Sequence, residues 1–431
     1  MKQSALFILL FFKIAILAQA QKFAQLSYED KTYESTIKTV ALYPQPNTPN
    51  DPVRTIYSPV LALNSSRPLI AEFDDLRGRF RQFRFKIFHC NADWTPSSLN
   101  DIEFTYEYND YPINDYEASF NTKIAYYQYR FMIPKLKLAG NYVVAVYEDT
   151  RPAKLVLTRR FMVYDSRITI SPVVRMSAGI AEQSTHQQID FDIDYKGYSD
   201  VLSPQDDFKV VVRQNYQWDK VLTKLRPTNV KIFDSRIEYR PFDLSNNMLG
   251  GNEFRWFDTR LSRGVSFNID DIQQKPEQTT AYLRTDTPRS SKGAYFQAQD
   301  FNGQYIVLNT DTQSSTNEAD YINVVFRLKI PQLTDGKVYV NGGFDLWQRN
   351  EANLMTYNTD SELYEAGILI KQGIVNYNYI FVGNDGKTSQ NFVEGNFATT
   401  SNDYEIFVYH KPPAARTEIL IGYRLIEFGR R

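Results

Sequence analysis

Alternation of apolar and polar residues is the feature that most limits how this chain can fold. Between 189 and 195, Ile, Phe, Ile and Tyr occupy every second position, with aspartates between them. The same period of two recurs at 375–381 and at 404–408. It is typical of strands with one buried and one wet face, and no segment shows the 3.6-residue period of a long amphipathic helix. The chain is therefore predicted to be all-β.

Turn residues separate these strands and indicate the architecture. Turns containing Gly, Asn or Asp occur at 139–141, 334–336, 341–343 and 384–386. Many short strands with frequent turns favour β-sandwiches. The 30 Tyr and 29 Phe agree with this, because aromatic residues suit half-buried pleated surfaces. We predict tandem β-sandwich domains of immunoglobulin-like type, with a first sandwich at 21–165, a second β domain at 166–320 and a C-terminal sandwich at 321–431.

The first twenty residues are typical of a secretory signal peptide. Lys2 precedes an apolar stretch at 5–17 that only Lys13 interrupts, and residues 18–20 (AQA) give a small-residue cleavage pattern. We expect residues 1–20 to be removed and the mature protein to be exported, into the periplasm if the cell has two membranes. No later stretch reaches the ~18 uncharged apolar residues of a membrane-spanning helix.

Composition argues against several kinds of site. A single Cys excludes an internal disulfide framework and a zinc site built on cysteines, and three His leave little material for a His-rich metal site. The formal net charge of −1 provides no overall attraction to nucleic acid. The sequence thus predicts no metal, no cofactor and no nucleic-acid partner.

The pair His89-Cys90 invites comparison with a thiol nucleophile and its base. Adjacent residues of a strand point to opposite faces, so this pair cannot form such a dyad there. His186 and His410 are the other histidines, and nothing in the sequence places either beside Cys90. We interpret Cys90 as a small buried residue without catalytic function.

Three further segments imitate known binding motifs. The aspartates of 190–194 resemble the start of a calcium loop, but Tyr195 and Val201 stand where that loop needs Gly and Glu. Residues 383–388 resemble a phosphate loop, but Phe381 replaces its first Gly, so a hairpin turn is predicted. Basic and aromatic residues mix at 77–86, and we interpret them as a strand with Phe83, Phe85 and Ile87 facing inward.

Two functional alternatives stay open at this stage. Carboxylates flanked by tyrosines could hydrolyse a glycoside if two of them faced each other across a cleft. Aromatic side chains near the C-terminus could stack on sugars, although such residues are more often packed in strands. The carboxylates are Asp110, Asp115 and Glu117, and the aromatic residues are Trp347, Tyr357, Tyr364 and Tyr377.

An ordered set of segments is similar to a known family. The most specific are 89–96 (HCNADWTP) and 108–116 (YNDYPINDY), followed by 119–122, 140–142, 146–149 and 157–161. Weaker matches are found at 295–296, 303–305, 318–321 and 394–397. In this order they resemble the type IX secretion system plug protein family of the Bacteroidota, formerly a domain of unknown function. The C-terminal region is similar to early-set immunoglobulin-like modules, some of which bind glycans.

The resemblance implies a non-enzymatic role. Family members dock on the periplasmic mouth of a very large outer-membrane translocon barrel and close it while no cargo is engaged. The signature residues are expected to be structural, with Trp94 as a core anchor and with Asp93 and Asn109 fixing turns. The sequence assigns no residue to the translocon contact. The full signature is His89, Cys90, Asp93, Trp94, Tyr108, Asn109, Asp110 and Pro112.

Overall fold

The structure is a computed structural model that describes residues 26–48, 55–264, 266–290, 295, 297–312 and 316–429. The predicted signal peptide at 1–20 lies outside the described residues. Strands dominate the described chain, and the all-β prediction is confirmed.

The strands are numbered along the chain. They are β1 Lys31–Thr32, β2 Ile37–Pro44, β3 Val60–Ala62, β4 Leu69–Asp75, β5 Phe83–Cys90, β6 Tyr111–Ile113, β7 Asp115–Ala118, β8 Tyr127–Met132, β9 Gly140–Glu148, β10 Lys154–Tyr164, β11 Thr169–Met176, β12 His186–Asp194, β13 Phe208–Gln214, β14 Val221–Leu222, β15 Asn229–Lys231, β16 Arg236–Tyr239, β17 Asn247–Leu249, β18 Arg255–Asp258, β19 Ile269–Gln274, β20 Thr279–Leu283, β21 Tyr305–Val307, β22 Tyr321–Leu328, β23 Gly336–Asn341, β24 Thr356–Asn358, β25 Leu363–Lys371, β26 Gly373–Gly383, β27 Thr388–Ser389, β28 Asn402–His410 and β29 Ile419–Phe428.

Helical structure in the described chain is limited to short turns. The α-helices are α1 Asp101–Phe104, α2 Pro204–Asp207 and α3 Asn391–Glu394, and 3₁₀ turns lie at Ile232–Asp234, Thr316–Glu318 and Gly343–Asp345. None of the helices in the described ranges has the length and apolar character required to cross a lipid bilayer.

The first domain is a sandwich of two sheets. One sheet has the order β1-β10-β9-β5-β6, with β3 added parallel to β10, and the other has the order β2-β4-β8-β7. The central strand β5 shows why these residues form a sandwich. Phe83, Phe85 and Ile87 are buried between the sheets, while Arg84 and Lys86 alternate with them on the outer side, as the sequence predicts.

The second domain is also a sandwich, and it is built from two separate parts of the chain. Its first sheet has the order β11-β12-β16-β15, with β17 on β12, and its second has the order β14-β13-β28-β29. Strand β13 pairs along its whole length with β28, from Phe208 opposite His410 to Gln214 opposite Tyr404. The last two strands of the chain therefore complete a sandwich that begins at β11.

The third domain is inserted between these two parts. Its sheets have the orders β18-β26-β21, with β23 and β27 on β26, and β19-β20-β22-β25-β24. Its core gathers apolar side chains from β18 to α3, including Phe257, Phe326 and Val393. Residues 383–388 form the predicted hairpin turn, here between β26 and β27.

The structure divides the chain differently from the predicted boundary between 320 and 321. Strand β18 at Arg255–Asp258 already belongs to the third domain, because it pairs with β26. Strands β28 and β29 belong to the second domain, because Tyr404, Ile406 and Val408 pack in its core. Sequence patterns report which segments are strands but not which distant strands pair, so an inserted domain leaves no local mark.

Candidate functional site

The signature segment begins at the end of β5, where two neighbouring residues enter different cores. The His89 ring packs in the first sandwich against Tyr142 and Phe104, at ring-centroid distances of 4.9 and 5.9 Å. The Cys90 side chain joins the apolar contact between the first and second domains. Burial raises the pKa of the Cys90 thiol to about 12, so the nucleophilic thiolate is not formed at neutral pH.

The other two histidines have their own partners in the second domain. His410 Nδ1 lies 2.7 Å from the Tyr198 hydroxyl, and His186 Nδ1 lies 2.9 Å from the Thr185 hydroxyl. The structure thus gives Cys90 the surroundings of a packing residue.

A tight turn after β5 directs Trp94 toward the second domain. The Asp93 carboxylate accepts hydrogen bonds from the Thr95 amide at 3.1 Å and the Thr95 hydroxyl at 2.6 Å. Asn91 closes the turn by accepting a bond from the Trp94 amide at 2.9 Å. Trp94 has a φ of 66°, an uncommon conformation for a bulky residue, which this network holds in place.

We call the contact between the first and second domains the first junction. Its apolar centre contains Cys90, Ala92, Trp94, Val143 and Met162 from the first domain, with Val211, Phe407, Tyr409 and Leu420 from the second. Polar bonds border it, because the Tyr409 hydroxyl donates to Asn141 at 2.8 Å and the Ala92 amide donates to Glu418 at 2.7 Å.

Cations stack between aromatic rings across the first junction. Trp94 meets Trp218 of the second domain edge to face at 4.8 Å. The Arg160 guanidinium lies 4.4 Å from the Trp94 ring and 5.3 Å from the Trp218 ring. The Arg213 guanidinium also lies 4.2 Å from the Trp218 ring. Cation–π contacts are strongest where water is excluded, so this stack favours one fixed domain orientation.

A buried ion pair supports the stack. Arg213 contacts Glu405 at 2.6 Å, and the two side chains are 2% and 1% exposed. Ser58 of the first domain reaches into this pair, donating to Glu405 at 2.6 Å and accepting from Arg213 at 3.1 Å. Breaking such a pair leaves a charge uncompensated away from water, which is strongly unfavourable.

We call the contact between the first and third domains the second junction. At its centre the Lys371 ammonium lies 2.7 Å from the Asp74 carboxylate, and the two side chains are 2% and 1% exposed. The Tyr321 hydroxyl donates to the same carboxylate at 2.6 Å, and the Lys371 ammonium lies 4.2 Å from the Tyr126 ring. Burial raises the pKa of Asp74, although Lys371 opposes that shift.

Backbone contacts extend the second junction. The Asp320 carboxylate accepts bonds from the amides of Lys123 at 3.0 Å and Ile124 at 3.2 Å. The Tyr126 hydroxyl donates to the carbonyl of Ala319 at 2.9 Å. The first domain is therefore fixed to both of its neighbours by buried polar contacts, not only by the covalent chain.

The second part of the signature lies inside the first domain. The Asn109 side chain bonds both the amide and the carbonyl of Ile87, at 2.9 and 2.7 Å, and so extends the hydrogen bonding of β5. Asp110 accepts from Arg84 at 2.7 Å and from the Tyr147 hydroxyl. Pro112 lies opposite Arg84 on β6, and Tyr108 is 84% exposed.

The three carboxylates considered for hydrolysis lie in different surroundings. Asp110 is held in the ion pair with Arg84, while Asp115 and Glu117 are exposed on the edge strand β7. A glycosidase needs two carboxyl groups facing each other across a cleft. These three residues do not have that arrangement.

The aromatic residues considered for glycan binding serve mainly as packing. Tyr364 and Tyr377 are buried, and the Tyr377 hydroxyl donates to Asp286 at 2.8 Å. Tyr357 is half-buried and packs on Tyr364 at 5.2 Å. Trp347 is half-buried and lies 5.9 Å from the Phe254 ring. They form no open aromatic platform.

The remaining motif-like segments are also engaged within the fold. Asp192 of β12 pairs with Arg240 at 2.8 Å and with Arg236, and Asp190 pairs with Arg175 at 2.8 Å. Within the described ranges, no group of three or more His, Cys, Asp or Glu residues is arranged to hold a metal ion. A cavity of about 40 Å³ beside Arg213 and Trp347 has room for a few water molecules only.

Sequence reasoning missed both junction ion pairs. For the pair of Asp74 and Lys371, the sequence does contain a signal. Lys371 ends an apolar stretch in β25, and Asp74 follows the buried Phe73 in β4. A charge in a buried strand predicts a partner. The sequence cannot say which one, since Asp74 and Lys371 are 297 residues apart.

Acid is expected to weaken the first domain through His89. Burial lowers the pKa of His89 from 6.5 to about 4, and neither ring nitrogen has a hydrogen-bond partner within the described ranges. Below pH 6.5 His89 is protonated in the unfolded chain, whereas in the folded chain it stays neutral until the pH approaches 4. Stability therefore falls as the pH drops from 6.5 toward 4, by about 2 kcal/mol between pH 7 and pH 5.

The measurement is denaturant unfolding at pH 7 and pH 5 for the wild type and His89→Leu. Carboxylates titrate alike in both proteins, so their contribution cancels in the comparison. We expect the variant to lose less stability than the wild type on acidification. An equal loss in both proteins would contradict the assignment to His89.

Comparison with solved structures shows a close relative of the whole fold. A crystal structure of a hypothetical protein from Parabacteroides merdae ATCC 43184 is 30% identical, with a TM-score of 0.86. The match covers 94% of this chain and 100% of that one, so it includes all three domains. A search of curated proteins found no match.

A family model identifies the first domain. The model described as "Type 9 secretion system plug protein 1st domain" matches residues 37–165. This range runs from the start of β2 to just beyond the end of β10, and it contains the signature segments at 89–96 and 108–116. The first domain therefore belongs to the type 9 secretion system plug protein family.

Proposed function

We propose that this protein is a periplasmic plug that docks on the outer-membrane translocon barrel of the type IX secretion system and seals its periplasmic opening. In this proposal the protein acts by its shape and makes or breaks no covalent bond. Its partner is the barrel, and it requires no cofactor. Family membership supports the link to the secretion system.

The observation that carries the proposal is the way the first domain is fixed to both neighbours. A barrel wide enough to export folded proteins cannot be closed by a flexible loop, so its stopper must be wide and stiff. The stack around Trp94 and the buried pair of Asp74 and Lys371 join three sandwiches into one body. Independent domains on flexible linkers would instead move relative to one another.

A plug must also leave when cargo arrives, which limits its interface with the barrel. We expect a contact of about 1,500–2,500 Å² with aromatic anchors and a polar rim, rather than the larger apolar interface of a permanent complex.

The test combines binding and permeability. Tagged protein is expected to co-purify with the translocon barrel from solubilised outer membranes. A deletion strain is expected to take up a large dye or antibiotic that the parent strain excludes, and the wild-type gene should restore the barrier. An intact barrier in the deletion strain, together with no barrel in the pull-down, would refute the proposal.

A further inference from the structure

The edge strand β7 in the first domain has one side that no other described strand covers. It ends the sheet β2-β4-β8-β7, and it pairs with β8 on one side only. All four of its residues, Asp115–Ala118, are exposed. Among the residues that the structure describes, none pairs with the far side of this strand.

The register with β8 defines which backbone groups are free. Tyr116 lies opposite Tyr129 and Ala118 opposite Tyr127, and the Ser119 amide donates to the Tyr126 carbonyl at 2.8 Å. In an antiparallel pair, hydrogen-bonded positions alternate along the strand. Residues 115, 117 and 119 therefore bond to β8, whereas the amide and carbonyl groups of 116 and 118 point away from it.

The next amide that points away from β8, that of Phe120, does form a hydrogen bond with another segment. The Phe120 amide donates to the Asn317 carbonyl of the third domain at 3.2 Å. This row of outward groups thus makes one contact with the third domain, and before it the amides and carbonyls of Tyr116 and Ala118 have no partner among the described residues. Exposed strand edges of this kind accept an added strand.

Aromatic rings line one face of the free edge. The Phe80 ring lies 4.6 Å from Tyr116 and 6.5 Å from Tyr127, and Tyr116 lies 6.3 Å from Tyr127. Phe80 is 49% and Tyr116 43% exposed. Side chains of an added strand would pack on these rings at every second position.

Acidic side chains line the other face. Asp115 and Glu117 point to the same side of β7, and both are exposed. Glu117 accepts one bond, from the Asn317 amide group at 3.0 Å, and Arg130 opposite Asp115 pairs with Glu72 at 3.3 Å. This face therefore retains negative charge.

We propose that β7 is the docking edge for an extended strand of the translocon barrel, in which basic residues alternate with apolar ones. The basic side chains would face Asp115 and Glu117, and the apolar ones would pack on Phe80 and Tyr116. This inference rests on the proposed function, and it names the surface and the chemistry of the partner segment.

A second copy of this chain fits the edge poorly. Two β7 strands in antiparallel pairing would bring the acidic residues Asp115 and Glu117 of both copies together. Like charges opposite each other destabilise a strand pair. The acidic face thus favours a basic partner over self-association.

The first experiment uses the isolated full-length mature protein and amide hydrogen exchange at single-residue resolution. The amides of Tyr116 and Ala118 are expected to exchange rapidly, and those of Glu117 and Ser119 slowly. Slow exchange at Ala118 in the protein alone would mean that the edge is already covered, and it would overturn the inference whether or not the protein is a plug.

The second experiment measures binding to the purified translocon barrel in detergent. Ala118→Pro removes an outward amide without removing a bond to β8, since proline is tolerated where a strand amide faces solvent. Ala118→Thr is the matched control, because it keeps the amide. We expect about tenfold weaker binding for Ala118→Pro and unchanged binding for Ala118→Thr.

A charge-reversed variant, Asp115→Lys with Glu117→Lys, tests the same edge without a proline and covers the case that Ala118→Pro does not fold. It is expected to bind more weakly than the wild type.

Equal binding by the wild type and both altered proteins would overturn the inference and leave the plug proposal intact. No binding by the wild type would refute the plug proposal itself. A wild-type dimer that Ala118→Pro converts to monomer would assign the edge to self-association instead.

Discussion

Lys371→Met is expected to lower the free energy of unfolding by about 3–5 kcal/mol, because it leaves the Asp74 carboxylate buried without its cation. The methionine keeps most of the side-chain volume, so the loss reports on charge rather than on a cavity. Tyr321 still donates to the carboxylate, but a hydroxyl does not neutralise it. Denaturant unfolding at pH 7 gives the measurement.

Two comparisons separate the buried pair from the substitution itself. Lys337→Met makes the same change at an exposed lysine of β23, and it is expected to alter stability by less than about 0.5 kcal/mol. Adding Asp74→Leu to Lys371→Met removes the uncompensated charge and should restore part of the lost stability. If Lys371→Met were no more harmful than Lys337→Met, the second junction would not depend on this ion pair.

The consequence for function follows from rigidity. A protein with a weakened second junction is expected to show faster proteolysis of the chain segments that this junction covers. If it acts as a plug, cells carrying Lys371→Met in place of the wild type should admit more dye, even where protein levels match. If proteolysis shows that the junction is weakened but cells still exclude the dye, stiffness at this contact is not required.

Trp94→Ala is the second change with a large expected effect, about 3–5 kcal/mol, because it empties the centre of the first junction. The stacking of Arg160 and Trp218 on its ring disappears at the same time. The contact between Ser58 and Arg213 remains, but the apolar centre of the junction is lost, so we expect the two domains to lose coupling before either unfolds.

Trp94→Phe is the matched control for that variant. The indole nitrogen of Trp94 bonds to none of the residues that the structure describes, so phenylalanine loses no polar contact seen there. Both replacements face the same backbone conformation, since neither is glycine and φ is 66°. Phenylalanine keeps an aromatic face for Arg160, and its cost should be less than half that of alanine. Equal losses in thermal unfolding would show that the ring face contributes little.

Local patterns predicted what local physics controls. Alternation in β5 predicted which side chains face the core, and residues 383–388 form a turn because Asn-Asp-Gly favours one. The opposite orientations of His89 and Cys90 followed from the two-residue period of a strand. Each of these depends on neighbours within a few residues.

Pairing between distant segments was not predictable in this way. The division at 320 and 321 differed from the structure because β13 pairs with β28, almost two hundred residues later. The role of Trp94 depends likewise on Trp218 and Phe407, which only the folded chain brings together. Neighbouring residues in the sequence carry no information on such long-range contacts.

The sequence by itself determined that this chain forms strands, where many of them turn, and which family its first domain resembles. Those properties follow from the side-chain period, from turn chemistry and from short ordered motifs. Only the tertiary structure decided that the third domain is an insertion, that buried charges fix the first domain to both neighbours, and that no described strand pairs with the outer edge of β7. Each of these is a relation between surfaces, and a surface exists only after distant strands have paired.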